Sequence, residues 1–224
     1  MITTSLLFAL LSVVPARAQS APATGPGRLE VAIGAAWVGS TSFGSRDANE
    51  TTGTGGTRRL FASSTELAAG SGLDAHVGFS LTPRLEAEAY LSYTRPELQT
   101  RIDSDTETSN APLTIADTIQ QFAIGGAALW YPGPSLSRRR FRLFVRGGIG
   151  ALRQLENDGT LIVTGREYEA GGGVKMMFTS RNSGFWKGIG ARADARAVIR
   201  QKGIAFDDSA RVSPAVGASI FVRF

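Results

Sequence analysis

Apolar and polar residues alternate along this chain with a period of two, which is the pattern of β-strands. In the first such segment Leu29, Val31 and Ile33 share one face, and Glu30 lies on the other. Eight segments of 9–11 residues show this alternation. They span residues 29–37, 73–81, 85–93, 122–130, 141–151, 168–178, 189–197 and 216–224. The pattern predicts an all-β fold of eight strands.

The lengths of the segments and of their connections favour a membrane barrel. A tilted strand crosses a bilayer in about 9–11 residues, and eight is the smallest strand number of bacterial outer-membrane barrels. Residues 82–84 form a short turn, whereas the loops at 40–70 and 95–117 are long, polar and rich in Gly, Thr and Ser. Short periplasmic turns and longer extracellular loops are typical of such barrels. We therefore predict an eight-stranded antiparallel up-and-down transmembrane β-barrel over residues 28–224.

A soluble eight-stranded barrel or sandwich would alternate in the same way, with its apolar face inward. Two features favour the membrane arrangement. The polar face is crowded with Gly and Ala as well as charges, which suits a narrow packed lumen. Aromatic residues also lie near the strand ends, as expected for interfacial girdles. They are Trp37 and Tyr93 at one rim, and Trp130, Tyr131, Phe141, Phe178 and Phe224 at the other.

The first eighteen residues have the features of a secretory signal peptide. Residues 6–14 form an apolar core of the length expected for its central region, and Ala16-Arg17-Ala18 supplies the small residues of a cleavage site. We expect cleavage after Ala18, followed by a flexible lead-in over residues 19–27. The predicted location of the mature protein is the outer membrane.

Composition narrows the chemistry further. The 224-residue chain has no Cys and one His, so thiolate catalysis and Cys zinc sites are excluded and His-based metal clusters are disfavoured. The net charge is only +5, with scattered arginines, so we expect no nucleic-acid partner. We also expect no cofactor and no metal site.

Several strings resemble those of a known family. Residues 146–150, 169–175 and 190–196 are similar to strands of the small OmpA-like and opacity-type barrel domains. The alternating segment that finishes in Phe224 resembles the terminal signature of bacterial outer-membrane β-barrel proteins. The resemblance implies an eight-stranded barrel and recognition of Phe224, as an assembly signal, by the barrel assembly machinery. It implies no particular activity.

The inward face of the predicted barrel carries charges of both signs. A charge in a narrow interior is costly unless it is paired, and an eight-stranded barrel is just wide enough for its side chains to fill it. We therefore predict a salt-bridged plug, with a gated ion path as the alternative. The acids are Glu30, Asp74, Glu86, Glu88, Glu169 and Asp194, and the bases are Arg142, Arg146, Lys175, Arg192 and Arg196.

His76 is the one residue suited to acid–base chemistry, and Asp74 and Ser80 share its face. Ser80 would lie about 13 Å from His76 along a strand, too far for a hydrogen bond. We therefore assign His76 to the lumen network and predict that the protein is not an enzyme. Because some small outer-membrane barrels modify lipid A, that activity stays a weaker alternative.

The predicted function is a non-enzymatic role in envelope structure or surface interaction through the long loops. A small-solute, porin-like channel is the main alternative. The expected partners are outer-membrane lipid and lipopolysaccharide, the barrel assembly machinery and an unidentified extracellular ligand. Nothing in the sequence demands more than a monomer.

Overall fold

The computed structural model describes residues 28–51, 53, 55–103, 112–133, 141–156, 162–181, 183–203 and 209–224. The predicted signal peptide and lead-in lie outside these residues. None of the described residues forms a helix that could cross a membrane. The described residues form eleven strands. They are β1 (Leu29–Val38), β2 (Thr41–Thr51), β3 (Thr57–Leu67), β4 (Gly70–Thr82), β5 (Leu85–Thr94), β6 (Glu97–Asp103), β7 (Leu113–Trp130), β8 (Phe141–Glu156), β9 (Ile162–Ser180), β10 (Gly188–Lys202) and β11 (Arg211–Arg223).

Eight of these strands close into an antiparallel barrel. Their order around the wall is β1, β4, β5, β7, β8, β9, β10 and β11, and β11 pairs with β1 to complete the ring. The pairing of β7 with β8 joins the two halves of the wall. Each predicted segment falls on one of these strands, so the predicted fold class is confirmed. Several strands are longer than predicted, above all β7, which begins at Leu113 rather than at residue 122.

The barrel is apolar outside and polar inside. On β1, Glu30 is buried while Ile33 is 66% exposed, and on β8, Arg146 is buried while Leu143 is 64% exposed. Large apolar side chains are exposed around the whole wall, which a soluble monomer does not tolerate. This inverted arrangement is that of a transmembrane barrel.

The two ends of the barrel differ. At one end, named here the turn end, the β4–β5 connection is short and Phe224 follows β11. At the opposite end, named the sheet end, β2, β3, β6 and residues 113–118 of β7 project beyond the barrel as a sheet. We call these four segments the projecting sheet.

The projecting sheet corrects the prediction that residues 40–70 and 95–117 are loops. Threonines and β-branched residues in this region favour strands, and Leu98, Thr100 and Ile102 alternate with polar neighbours. Gly55, at a φ of 79°, lies in the connection between β2 and β3 and takes a conformation that favours glycine. The polar composition of the region hid this weaker alternation.

Most of the predicted aromatic rim residues face outward at the barrel ends. Trp37 is exposed at the sheet end, and Trp130, Phe141 and Phe178 are exposed at the turn end. Tyr131 was wrongly placed in the outer girdle. It follows outward-facing Trp130 and therefore points inward, where it is only 2% exposed.

Candidate functional site

The alternation of the strands delivers the predicted charged residues to the lumen. The twelve residues come from six strands, and eleven of them are buried. The twelfth, Asp194, has a side chain that is only 5% exposed. Arg142, at 8%, lies nearest the turn end. The contacts fall into three layers from the turn end to the sheet end.

The turn-end layer is centred on Lys175, whose side chain is fully buried. Its Nζ lies 2.5 Å from Glu30 Oε1 and 3.0 Å from Glu86 Oε1. Tyr131 donates its hydroxyl hydrogen to Glu86 Oε2 at 2.5 Å. Arg223 pairs with the second oxygen of Glu30 at 2.8 Å. One lysine therefore links carboxylates from β1 and β5 to its own strand, β9.

Arg142 closes this layer at the turn end. Its guanidinium lies 3.7 Å from the centre of the Tyr131 ring and donates a hydrogen bond to the carbonyl of Pro83. A cation over an aromatic face gains further stabilisation when it is partly desolvated. Unlike the other predicted lumen bases, Arg142 shows no ion pair with an acid among the described residues.

The central layer is built around Glu88. Arg192 Nη1 pairs with Glu88 Oε2, Arg146 Nη1 lies 3.3 Å from Glu88 Oε1, and His76 Nδ1 lies 3.1 Å from the same oxygen. Arg146 also pairs with Glu169 at 2.5 Å. Side chains from three strands, β4, β8 and β10, thus converge on one carboxylate of β5.

The sheet-end layer is built around Arg196. Its guanidinium lies 2.5 Å from Asp74 Oδ2, 3.5 Å from Glu169 Oε2 and 3.8 Å from Asp194 Oδ2. Asp194 also accepts a hydrogen bond from Arg192 Nε at 3.1 Å. The side chains of Arg192, Asp194 and Arg196 therefore form a continuous ladder along one face of β10.

Glycines make room for these long side chains. A Cβ on Gly148 would lie 2.6 Å from Glu169 Oε1, so any larger residue would push that carboxylate out of its place beside Arg146. The glycines on the inward face therefore follow from the packing of the network.

Sequence reasoning missed three charges of this network. Arg223 faces inward beside Glu30, and Arg200 pairs with Glu167 at 3.0 Å near the sheet end. Arg223 lies two residues after inward-facing Phe221, so strand alternation places it on the inward face as well. This alternation was a signal that could have identified it. With these residues the described lumen network has seven acids and seven bases. The acids are Glu30, Asp74, Glu86, Glu88, Glu167, Glu169 and Asp194, and the bases are Arg142, Arg146, Lys175, Arg192, Arg196, Arg200 and Arg223.

His76 faces carboxylates through both ring nitrogens. Nδ1 bonds to Glu88, and Nε2 lies 3.9 Å from Asp74 Oδ2. The ring is buried, at 4% exposure. Within the described part of the chain, no group of three or more His, Asp or Glu side chains could hold a metal ion.

Phe224, the predicted assembly signal, lies at the turn end. Its backbone N–H donates to the carbonyl of Leu29 at 2.8 Å, and its ring makes an edge contact with Phe185, with 5.1 Å between centroids. This geometry ties the last residue to the first strand. Its role in assembly stays a prediction.

Comparison with known proteins bears on the fold. No protein-family model and no curated protein sequence matches the chain. Among solved structures, Neisserial surface protein A (NspA) is similar at a TM-score of 0.56 and 15% identity, over 89% of this chain and 99% of that one.

Two further structures match with lower scores. Ail of Yersinia pestis, in complex with the heparin analogue sucrose octasulfate, has a TM-score of 0.39 and 12% identity, over 88% of this chain and 99% of that one. The N-terminal β-barrel domain of Pseudomonas aeruginosa OprF has a TM-score of 0.37 and 14% identity, over 87% of this chain and 98% of that one. The comparison of folds rests on NspA alone. Closure of the eight strands and this similarity confirm that the chain has the fold of the small eight-stranded outer-membrane β-barrels.

Proposed function

We propose that this protein is a closed, non-enzymatic barrel of the bacterial outer membrane that carries the projecting sheet to the cell exterior as an interaction surface. The observation that carries the proposal is the combination of an apolar wall, a lumen crossed by ion pairs and a sheet that extends beyond one end. The predicted leader supports export, and the fold supports insertion by the barrel assembly machinery.

The buried ion pairs of the lumen argue against a porin-like channel. Lys175, Arg192 and Glu86 face the lumen, and each is 2% exposed or less. A water-filled path through the barrel would expose such side chains to solvent. Their ion pairs connect strands on different sides of the wall and would have to break before a solute could pass.

The surroundings of His76 argue against catalysis. A general base must reach the proton that it abstracts, but both nitrogens of this ring face carboxylates inside the lumen. The ring is also only 4% exposed, so it presents almost no surface to a lipid. We therefore assign His76 a structural role in the central layer.

The projecting sheet is the part of the protein best suited to meet a partner outside the cell. β2, β3 and β6 pair in turn with one another and with residues 113–118 of β7, outside the closed ring of the barrel. Leu113 and Ile115 on β7 are 57% and 49% exposed beyond the barrel wall. The extracellular ligand that we propose for this surface is unidentified, and a monomer is sufficient to present it.

Cysteine labelling tests this orientation directly, because the natural chain has no Cys. Ser64 on β3 and Ser183 in the β9–β10 connection are both exposed, one on the projecting sheet and the other at the turn end. We expect Ser64→Cys to react with a membrane-impermeant maleimide on intact cells. Ser183→Cys should react only after the outer membrane is permeabilised.

The matched serine substitutions exclude general differences in reactivity, because denatured samples of both variants should label equally. Labelling of Ser183→Cys on intact cells with protection of Ser64→Cys would reverse the proposed orientation. Protection of both until the inner membrane is lysed would contradict the outer-membrane location.

A further inference from the structure

Two arginines lie side by side on the outer wall of the barrel. Arg153 on β8 is directly opposite Thr164 of β9, and Arg166 is two residues further along β9 on the same face. Diagonal neighbours of this kind have Cβ atoms about 7–8 Å apart or less. Both side chains are exposed, and neither forms an ion pair with an acid among the described residues.

The pair lies at the outer edge of the apolar band, on the sheet-end side. Phe122 is opposite Arg153 in the barrel wall, and its ring stacks on Tyr93 with 4.7 Å between centroids. Tyr168 is the next outward residue of β9 below Arg166. Aromatic side chains mark the membrane interface. The two guanidiniums therefore lie at the level of the headgroups of the outer leaflet.

Below Tyr168 and its partner Ile149, the outer wall carries small residues. Gly147, Ala170 and Ala197 are neighbours on the outward faces of β8, β9 and β10. Deeper in the wall a groove of about 690 Å³ is lined in part by Gly172, Ala195 and by Val216 of β11. Ligand pockets commonly have volumes of about 300–1,000 Å³. Tyr168 and Ile149 separate the arginines from these small residues, and Val145 lies opposite Gly172. On the wall formed by β5 and β7, in contrast, Ile124 and Leu91 project outward.

The length of the path matches one leaflet of the bilayer. Arg166 and Gly172 are six residues apart on the same face of β9, or about 20 Å along the strand. A strand tilt of about 40° reduces this to about 15 Å of depth. That is half of the roughly 30 Å hydrocarbon core. An acyl chain whose headgroup lies at the arginines would thus end in the groove.

We propose that this face of the barrel, formed by β8–β10, binds a phosphate-bearing lipid of the outer leaflet. The inference rests on the proposed insertion in the outer membrane. Arg153 and Arg166 hold the phosphate, because paired guanidiniums form multiple charge-assisted hydrogen bonds with phosphate oxygens. The path from Ala170 to Gly172 holds an acyl chain. Position selects a membrane lipid over a soluble anion, since the two arginines lie at the membrane interface and the apolar groove lies deeper on the same wall.

Native mass spectrometry of the refolded full chain, released from detergent micelles containing diphosphorylated lipid A, tests the proposal. We expect wild-type protein to retain lipid A. Arg153→Gln with Arg166→Gln should weaken binding about thirtyfold, because each arginine near a charged surface contributes about fivefold. The matched control is Arg46→Gln with Arg58→Gln, which removes equal charge from the projecting sheet. This control should change binding by about twofold or less.

A second comparison tests the acyl path. Ala195→Leu with Ala197→Leu fills the path with side chains that face lipid, and we expect it to lower lipid A retention. Ala89→Leu on β5, at the opposite wall, should leave retention unchanged. Inorganic phosphate is titrated against the complex of wild-type protein with lipid A. It should displace no lipid A over the concentration range in which the control variants also retain theirs.

Several outcomes would overturn the lipid site. One is equal retention by wild type and the Arg153/Arg166 variant, and another is an equal loss in the Arg46/Arg58 control. Displacement by inorganic phosphate alone would assign the arginines to a free anion. Lipid A without its phosphates, offered to wild-type protein, tests the same contact without a substitution. If wild-type protein retained this lipid as well as diphosphorylated lipid A, that result would also contradict the site. Compact, heat-modifiable migration on gels reports folding of the barrel independently of lipid binding. Loss of that migration in wild-type protein would count against the proposed function and not against the lipid site.

Discussion

Arg192 on β10 forms an ion pair with Glu88 on β5, the strand diametrically opposite in the eight-stranded wall. The pair joins residues 104 positions apart in the chain. It therefore spans the lumen, and Arg146 on β8 reaches the same carboxylate from a third direction. Charged side chains from β5, β8 and β10 therefore meet in the interior of the barrel.

The first prediction follows from the number of partners on Glu88. Glu88→Gln removes a charge shared by Arg192, Arg146 and His76, and we expect a loss of about 3–5 kcal/mol in the free energy of unfolding. Urea titration of the refolded barrel measures it. A double-mutant cycle with Arg192→Gln should give a coupling energy of about 1–3 kcal/mol.

A cycle between Glu88→Gln and Arg200→Gln is the control. Arg200 pairs with Glu167 near the sheet end, so the two changes should be additive within about 0.5 kcal/mol. Additivity in the Arg192 cycle as well would show that the cross-barrel pair contributes nothing of its own.

The second prediction compares adjacent residues on opposite faces of β10. Asp194→Ala leaves Arg192 and Arg196 with fewer carboxylates, and we expect a loss of about 3 kcal/mol because each arginine keeps another acid. Ala193→Ser places a hydroxyl on the exposed outer face and should cost about 1 kcal/mol or less. If Ala193→Ser lowered the urea midpoint more than Asp194→Ala, the assignment of faces on β10 would be wrong.

The third prediction concerns the buried lysine of the turn-end layer. Lys175→Met leaves Glu86 without its cation, and we expect the unfolding free energy to fall by about 3–5 kcal/mol. Adding Glu86→Gln should restore at least half of the loss, because Glu30 keeps Arg223 and residue 86 can still bond to Tyr131. A double variant as unstable as Lys175→Met would mean that lost packing, rather than unpaired charge, causes the effect.

The fourth prediction uses two neighbouring glycines on β7. A Cβ on inward-facing Gly125 would clash with the carbonyl oxygen of Ile149 and lie 2.7 Å from the ring of Tyr90. A Cβ on outward-facing Gly126 would meet its nearest atom at 3.7 Å. Gly125→Ala should therefore cost about 1–3 kcal/mol of unfolding free energy through overpacking. Gly126→Ala is the matched control and should be close to neutral. Equal stability of the two variants in urea would count against a tightly packed lumen at this level.

The faces of the barrel residues could be predicted from sequence because strand alternation assigns every second residue to one side. Parity alone placed Glu88 and Arg192 inside. It could not pair them, since their contact depends on closure of the ring between β1 and β11 and on the direction of each long side chain. Residues of opposite charge on neighbouring strands, such as Arg196 and Glu169, are easier to associate from sequence.

The projecting sheet could not be predicted because its strands are short of apolar residues. On β2 no face is strongly buried, so the alternation that reveals a barrel strand is weak. Its pairing with β3 instead depends on backbone hydrogen bonds and on the connection that contains Gly55. Composition suggested a loop, whereas register and turn geometry produced a sheet.

The central claim is that the lumen is closed by its charge network, and planar-bilayer conductance of the refolded wild-type barrel tests it most directly. Insertion is established first by heat-modifiable migration of the same preparation on gels. With Lys175, Arg192 and Arg196 paired across the lumen, we predict that the membrane current shows no stable openings. A steady ohmic conductance that scales with salt concentration would contradict a closed barrel and support a channel.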